Sequence, residues 1–430
     1  MPKINFWHFE GQTAGVRIDD LLLLIFGTIF LWGYFLLQRK VLDIEKAVFA
    51  IAVFSCFSYI MNRLLVASGY LHVNASIFYS VRLLEYFLFF YVGVLASRFI
   101  SLGSLLRALI VWNLLFMLLQ EFQIIGVFTM EGYLPYAEDN RLLGIASFGA
   151  EMGLLLNLLF CFFIYEEPSR KSSIQLLPKE FLRFFRANKA FFLLLLFVGL
   201  VILTGARIAI LALLFTFLLR LKDLVRWRSL STFFMPLLTL GLAVSLMSYM
   251  LYNVSGIVSR SEGLLSLSNL ELIPIVWDNI VLDYDPIGKE TVSYDGYDAS
   301  WWMRIHKWCY ALKIYWNHPA AWLQGVGPGF AMPALDGGII RIITELGIIG
   351  FSLYFWLFYL IARVSRPLKW MVIAMALNML FFDVYLAYKP MSLLFLIVGY
   401  TYNTSTRTNK DSTHNALTAN STHNERTRTN

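Results

Sequence analysis

The chain of 430 residues is 58% hydrophobic and only 15% charged, and its formal net charge is +7. A soluble protein of this length needs more charge to cover its surface, so the composition favours a polytopic membrane protein. Basic residues at the cytoplasmic ends of transmembrane helices account for the positive charge, and no nucleic acid is predicted as a partner. Cys56, Cys161 and Cys309 lie far apart, which indicates neither a disulfide framework nor a thiolate metal site.

Apolar segments recur along most of the chain. Spanning a bilayer takes about 20 apolar residues, fewer where the segment is sheltered. We predict helices at 21–37, 46–61, 77–98, 104–120, 142–165, 190–204, 206–220, 232–252, 339–362, 370–387 and 391–402. The sequence therefore predicts an all-α polytopic membrane protein with about 11–12 transmembrane helices, in which the last two segments are short enough to form a re-entrant pair.

The orientation follows from the basic residues of the short loops, which favour the cytoplasm. The cytoplasmic segments predicted in this way are 166–189, 220–228 and the residues Arg363, Arg366 and Lys369. A large loop over 253–338 then lies outside, and counting backward places the N-terminus outside as well.

Four parts of the chain follow from these assignments: helices in 1–252, the external loop 253–338, further helices in 339–402 and a polar tail 403–430. The tail is rich in Thr, Asn and Ser, cannot bury a core and is expected to be disordered in the cytoplasm. Within the loop, residues 300–317 fit an amphipathic helix whose apolar face we expect to carry Trp301, Trp308, Leu312 and Tyr315.

Arginines are the most prominent polar residues at the external ends of the predicted helices. They are Arg141, Arg207, Arg304 and Arg341. A guanidinium suits a diphosphate because it binds phosphate oxygens through two parallel hydrogen bonds and keeps its charge. Interfacial snorkelling or an internal salt bridge explains any single one of them equally well. Arg207 is the hardest to explain structurally, because its tight turn between apolar segments contains no neutralising acid.

Asp336 stands between a glycine-rich turn and the start of a helix. As a helix N-cap it would accept backbone N–H groups, and as a general base it would take a proton from a sugar hydroxyl. Arg341 and Glu345 are four residues apart on the next helix and can pair. His318 precedes Pro319 and is either a pH-sensitive group or, as we favour, a helix stop.

Other polar and aromatic residues have structural interpretations that we favour. The tryptophans at 301, 302, 308, 316 and 322 are typical of an interfacial belt, with a sugar platform as the alternative. Arg82 and Glu85 are expected to form an ion pair. The acids Glu85, Glu151 and Asp383 in apolar segments would also suit a transporter. No phosphate-binding glycine loop, paired-histidine spacing or Ser-His-Asp order is present, so neither a metal nor a nucleotide cofactor is predicted.

Several motifs together resemble the O-antigen polymerase/O-antigen ligase family of bacterial envelope glycan enzymes. The sequence over 304–350 contains Gly325-Val326-Gly327-Pro328-Gly329 and Glu345-Leu346-Gly347-Ile348-Ile349-Gly350, and Thr204-Gly205-Ala206-Arg207 resembles the family's (Ser/Thr)-x-x-Arg turn. Arg141-Leu142-Leu143-Gly144 resembles its Arg-x-x-Gly. Ligases of the family carry a histidine followed by Asn, Ser or Gln, then nine residues and a Gly-x-x-Gly motif. The same spacing here runs from Asp336-Gly337 through nine residues to Gly347-x-x-Gly350, with aspartate in place of the histidine.

The resemblance implies a GT-C-like fold and an enzyme of the bacterial inner membrane, acting at its periplasmic face without a cofactor. The donor would be a glycan linked to undecaprenyl diphosphate, and a chain-length regulator protein is a further candidate partner. Because aspartate replaces the ligase histidine, we expect a polymerase. Its catalytic residues would be Asp336, Arg207 and Arg304, and its substrate-binding residues would be Arg141, Arg341, His318 and Glu345.

Two alternatives remain open from the sequence. One is an O-antigen ligase that joins the glycan to lipid A-core. The other is a glycolipid flippase or transporter, which forms no bond. The identity of the sugars and of the linkage is not encoded in a readable motif.

Overall fold

The computed structural model describes most of the helical part of the chain. The described residues are 41–72, 75–129, 132–134, 142–165, 189–224, 268–281, 299–330 and 335–404, together with 5–8, 15–17, 25, 28, 241–242 and 245. Most of the predicted helices 232–252 and 21–37 lies outside these residues. So do Arg141 and the tail beyond residue 404.

Helices dominate the described residues. They are α1 Asp43–Ala67, α2 Ile77–Ala96, α3 Leu102–Glu121, α4 Gly149–Tyr165, α5 Lys189–Leu203, α6 Arg207–Leu224, α7 Ser268–Asn279, α8 Ala299–Asn317, α9 Ala321–Gln324, α10 Gly338–Val364, α11 Arg366–Asn378 and α12 at 388–404. Two short antiparallel hairpins, which the sequence did not predict, pair β1 Asn5–His8 with β2 Gly15–Arg17 and β3 Val127–Thr129 with β4 Gly132–Leu134.

Four of these helices, α1, α2, α3 and α10, are long and apolar enough to cross a membrane. The prediction of a helical protein with segments that can span a membrane is therefore confirmed. Helix α4 and the apolar parts of α5 and α6 are shorter. Helix α11 has 13 residues, about 20 Å at 1.5 Å per residue, which is less than the thickness of a bilayer core.

The structure buries two separate apolar clusters. The larger one joins α1–α6 with α10–α12, around side chains such as Tyr86, Phe160 and Phe395. The smaller one joins α7, α8 and the glycine-rich turn through Leu272, Tyr310 and others. The loop that was predicted between the membrane helices thus contains a packed layer of its own.

Helix α8 confirms the amphipathic helix predicted at 300–317, but the predicted apolar face was wrong. Leu312 is 36% exposed, whereas Ile305, Cys309 and Ile314 are almost completely buried. This buried face packs in the small cluster with α7. The prediction placed two tryptophans on the buried face, but the large rings of tryptophans are commonly only partly buried.

Helices α2 and α12 approach each other closely at two glycines. A Cβ at Gly93 would meet the backbone carbonyl of Leu396, and a Cβ at Gly399 would meet that of Phe90. Small residues permit such close backbone packing between membrane helices, where dispersion contacts drive association.

We expect Gly93→Ala to lower the thermal stability of the detergent-solubilised protein, because the added methyl group forces α2 and α12 apart. The matched control is Gly199→Ala in α5, where a Cβ meets nothing within 4 Å. The apparent melting temperature should fall for Gly93→Ala and stay level or rise for Gly199→Ala. Equal effects would contradict the assigned helix contact.

Candidate functional site

The site begins with a break in α10. Gly347 has φ 65° and ψ −169°, a left-handed conformation that glycine adopts without steric cost and that interrupts the helix. Carbonyl groups just before the break then need partners outside the helix. The N–H of Val326 donates to Thr344 O at 2.8 Å, and the N–H of Gly327 donates to Glu345 O at 3.0 Å. The glycine-rich turn therefore completes the hydrogen bonding of the broken helix.

The same turn is fixed from α1 and from the start of α2. Asn62 Nδ2 donates to Val326 O at 2.7 Å, and Ser58 Oγ donates to Gln324 O at 2.6 Å. The N–H of Ser76 donates to Pro328 O at 2.8 Å. Helices α1 and α10 and the start of α2 thus converge on a turn whose glycines alone would indicate flexibility.

Arg341 lies at the centre of a buried charge network one turn into α10. Its side chain is 0% exposed. Its Nε donates to Glu345 Oε1 at 2.7 Å, and its NH1 group donates to Asp383 Oδ2 at 2.9 Å. The hydroxyl of Tyr385 donates to the second oxygen of Glu345 at 2.6 Å, and the guanidinium also lies over the ring of Tyr79.

The predicted pairing of Arg341 with Glu345 is confirmed. The structure also supplies Asp383, which the sequence did not connect to them. The guanidinium already pairs with two carboxylates. The geometry therefore favours an internal salt bridge over a diphosphate ligand for Arg341, and it favours a structural role for Glu345.

Asp383 also holds the backbone on both sides of Asp336. The N–H of Leu335 donates to Asp383 Oδ2 at 2.8 Å, and the N–H of Gly337 donates to Asp383 Oδ1 at 3.2 Å. Between these two anchored peptides, Asp336 has φ 57°. A left-handed backbone is uncommon for a residue other than glycine, although aspartate tolerates it better than most.

The interpretation of Asp336 as an N-cap was wrong. The N-cap of α10 is Gly337, with no side-chain capping bond. The start of the helix is stabilised instead by Asp383 and by Met379 O, which accepts the N–H of Ile339 at 3.2 Å. Among the described residues the Asp336 carboxylate accepts no hydrogen bond.

Charged groups surround the Asp336 carboxyl from three elements. Burial is the largest influence, and it raises the pKa of Asp336 above the ordinary value of an aspartate. The positive charge of Lys307 opposes this shift most strongly, and the negative charge of Asp383 adds to it. Arg304 and Arg341 act in the same direction as Lys307. The pKa of this half-buried carboxyl group is therefore raised, although the cations of α8 oppose the shift.

Arg207 is the half-buried first residue of α6. The turn before it packs on the segment that leads into α4, since the N–H of Leu142 donates to Leu203 O at 3.0 Å. From that segment the ring of Phe148 contacts the ring of Phe382, with centroids 5.3 Å apart. Phe382 precedes Asp383, so the Arg207 turn lies at the same end of the helix bundle as Asp336.

His318 lies outside this network. Helix α8 ends at Asn317, which agrees with the helix stop that the sequence favoured. The imidazole packs edge-on against Tyr70 at 4.7 Å, and burial together with His72 lowers its pKa. These neighbours belong to the α1–α2 connection, which favours a structural role.

A second buried charge cluster involves Glu151, one of the acids in apolar segments that would also suit a transporter. Lys389 Nζ lies 3.7 Å from Glu151 Oε2 and donates to Ser147 Oγ at 3.3 Å. The N–H of Ser147 donates to the same carboxylate at 2.8 Å. Within the part of the chain that the structure describes, no group of three or more His, Cys, Asp or Glu side chains could hold a metal ion.

No family model matches this sequence, and no curated protein matches it either. The resemblance to O-antigen enzymes therefore rests on the motifs alone.

Removing the Asp383 carboxylate should destabilise the protein strongly. Asp383→Ala leaves the buried Arg341 with only one anion and two peptide groups without an acceptor, a loss of about 3–5 kcal/mol. The control is Asp43→Ala, which breaks the exposed pair with Lys46 and should cost less than about 1 kcal/mol. Unfolding of both variants by denaturing detergent in mixed micelles measures the difference. A similar loss in both would refute the central role of Asp383.

Proposed function

We propose that the chain is a bacterial inner-membrane polysaccharide polymerase. It transfers a growing glycan from undecaprenyl diphosphate to a hydroxyl of an incoming lipid-linked repeat unit. The observation that carries the proposal is Asp336, whose carboxylate accepts no hydrogen bond from the described residues and whose backbone is anchored on both sides near the cations Arg304 and Lys307. Structural ion pairs do not leave an acid in this state, whereas a general base has to be free to receive a proton.

In the proposed reaction, Asp336 accepts the proton of the acceptor hydroxyl as its oxygen attacks the anomeric carbon of the donor sugar. The bond between that carbon and the diphosphate oxygen breaks, and the lipid diphosphate leaves with the electron pair. Arg304 and Lys307 stabilise the charge that develops on the leaving group, which is the kind of effect that usually contributes most to catalysis. Arg207, at the same end of the bundle, is assigned to the same diphosphate.

The orientation of the site supports this assignment. Arg363, Arg366 and Lys369 flank the junction of α10 and α11, at the end of α10 opposite to Asp336. Basic residues favour the cytoplasm, which would place Asp336 at the periplasmic face. Lipid-linked glycan donors are used there without a nucleotide sugar, in line with the absence of a nucleotide motif. The GT-C-like fold and a chain-length regulator as partner belong to the same proposal.

The ligase alternative is disfavoured by the aspartate at position 336, where the ligases it resembles have histidine. The transporter alternative rested on membrane acids. Two of them, Asp383 and Glu151, are engaged by Arg341 and Lys389. Carboxylates that are held by buried cations are better explained as structural ion pairs than as an ion pathway.

Deleting the gene and separating the surface glycan on a gel tests the function. Loss of a polymerase leaves single repeat units on lipid A-core, loss of a ligase leaves long chains on the carrier lipid, and loss of a flippase leaves lipid-linked units with no external glycan. Complementation with Asp336→Asn should restore little polymer, because removing a general base slows a reaction by about 10²–10⁴-fold.

Asparagine keeps the shape of aspartate and tolerates the left-handed backbone, so Asp336→Asn isolates the charge. The matched control is Asp278→Asn on the exposed surface of α7, which should restore full-length ladders. Protein levels are compared by immunoblot. A full ladder from Asp336→Asn would exclude this residue as the base.

The pH profile provides a second test. A base must be ionised to accept a proton, and the pKa of Asp336 is raised. Activity should therefore fall on acidification at a higher pH than the usual aspartate pKa of about 3.9 implies. Lys307→Gln removes the charge that opposes this shift most, so the acid limb should move to still higher pH. The measurement is the initial rate of polymer formation by purified protein between pH 4 and 8, a range of roughly four units around these pKa values.

Lys46→Gln serves as the control for Lys307→Gln, because Lys46 pairs with Asp43 at the exposed start of α1. Its acid limb should coincide with that of the wild type. A shift of the Lys307→Gln profile to lower pH would contradict the assigned electrostatics.

A further inference from the structure

Helix α8 turns a mixed basic and aromatic face toward the Asp336 segment. Trp301, Arg304 and Trp308 follow one another at intervals of three and four residues, which places them on one side of the helix. Trp308 Nε1 donates to Leu335 O at 3.1 Å. A Cβ on Gly337 would lie 2.7 Å from the same nitrogen. The polar edge of this indole therefore lies against the two residues that flank Asp336.

The hydrogen bond to Leu335 O distinguishes Trp308 from an interfacial belt residue. In a belt, the ring N–H points to the wet headgroup region. Here it points into the protein and fixes the ring, while the side chain as a whole stays only half-buried.

Two other aromatic rings extend this surface. The ring of Trp301 stands edge-on to Trp308 with centroids 6.1 Å apart, and the centroid of the tilted Phe381 ring lies 5.9 Å from that of Trp308. Phe381 precedes the buried Phe382-Asp383 pair and is itself 39% exposed. Three rings from two elements thus form an aromatic wall beside a carboxylate and two cations.

This combination suits a sugar better than a lipid chain. One face of a pyranose ring exposes C–H groups that pack on an indole, and its rim carries hydroxyl groups that need polar partners. Small-molecule sites commonly combine aromatic walls with a few fixed polar groups in this way. An acyl chain would gain from the rings but would bury Asp336, Arg304 and Lys307 against groups that offer no hydrogen bonds, which is costly for charged side chains.

We propose that Trp308, supported by Trp301 and Phe381, is the platform on which the acceptor sugar of the lipid-linked repeat unit stacks, with its reacting hydroxyl directed at Asp336. The inference rests on the proposed function and adds the acceptor subsite to it. Stacking fixes the orientation of the sugar, and a fixed orientation is what a base at a single position requires.

The test compares Trp308→Phe with Trp308→Leu in the purified full-length protein. Both variants lose the hydrogen bond to Leu335, but only phenylalanine keeps an aromatic face. The substrate is the lipid-linked repeat unit extracted from the deletion strain, and polymer formation is followed at several concentrations. We expect Trp308→Leu to raise KM by about tenfold and Trp308→Phe to raise it by less than about threefold.

Trp316→Leu is the matched control. This tryptophan lies on the same helix, is 65% exposed and pairs with Trp322 instead of facing Asp336. Its KM should equal that of the wild type. Phe381→Leu tests the same wall from another element and should raise KM in the same direction as Trp308→Leu.

Three results would overturn the platform: equal KM values for the Leu and Phe variants of Trp308, an unchanged KM in Phe381→Leu, or an equal rise in Trp316→Leu. A failure of the proposed function is distinguishable from these, because the wild-type protein would then form no polymer from the extracted units at all. Melting temperatures of the variants identify any loss that comes from unfolding.

Discussion

A guanidinium that is withdrawn completely from solvent needs anions and well-placed hydrogen bonds, because an unpaired buried charge is among the most costly features a protein can contain. Arg341 meets this requirement with Glu345 from its own helix and Asp383 from the connection between α11 and α12. The hydroxyl of Tyr385 donates a hydrogen bond to the other carboxylate oxygen of Glu345. This one ion cluster links the α11–α12 connection, the first turn of α10 and the backbone before it.

The broken helix extends the same constraint to the rest of the site. The carbonyl of Glu345 accepts hydrogen bonds from Gly327 and from Ser58, while its carboxylate pairs with Arg341. One residue thus joins the charge cluster, the glycine-rich turn and α1. Non-helical backbone within a membrane protein is tolerated where protein groups satisfy it, and here they do so on both sides of the break. Asp336 is presented from a rigid frame, although it lies between a turn and a helix.

Local spacing in the sequence was sufficient for some of these features and insufficient for others. The pair of Arg341 and Glu345 follows from a separation of four residues on a helix. Asp383 is 42 residues from Arg341 along the chain, and neither periodicity nor a motif connects them. The sequence showed only that Asp383 lies in an apolar segment. An acid in such a segment is as typical of a transporter as of a structural ion pair. Helix α8 was predicted from its pattern, but its buried face depends on α7 and the glycine-rich turn, which are tertiary partners.

The left-handed backbone at position 336 limits which side chains this position can carry. Asparagine, aspartate and histidine are the residues other than glycine that adopt this conformation most readily. Two of these three can accept a proton near neutral pH or somewhat below it. Histidine at this position would therefore meet the same backbone requirement as the aspartate that this chain has. A backbone of this shape allows one proton acceptor to be exchanged for the other by single substitutions, without rebuilding the fold that surrounds it.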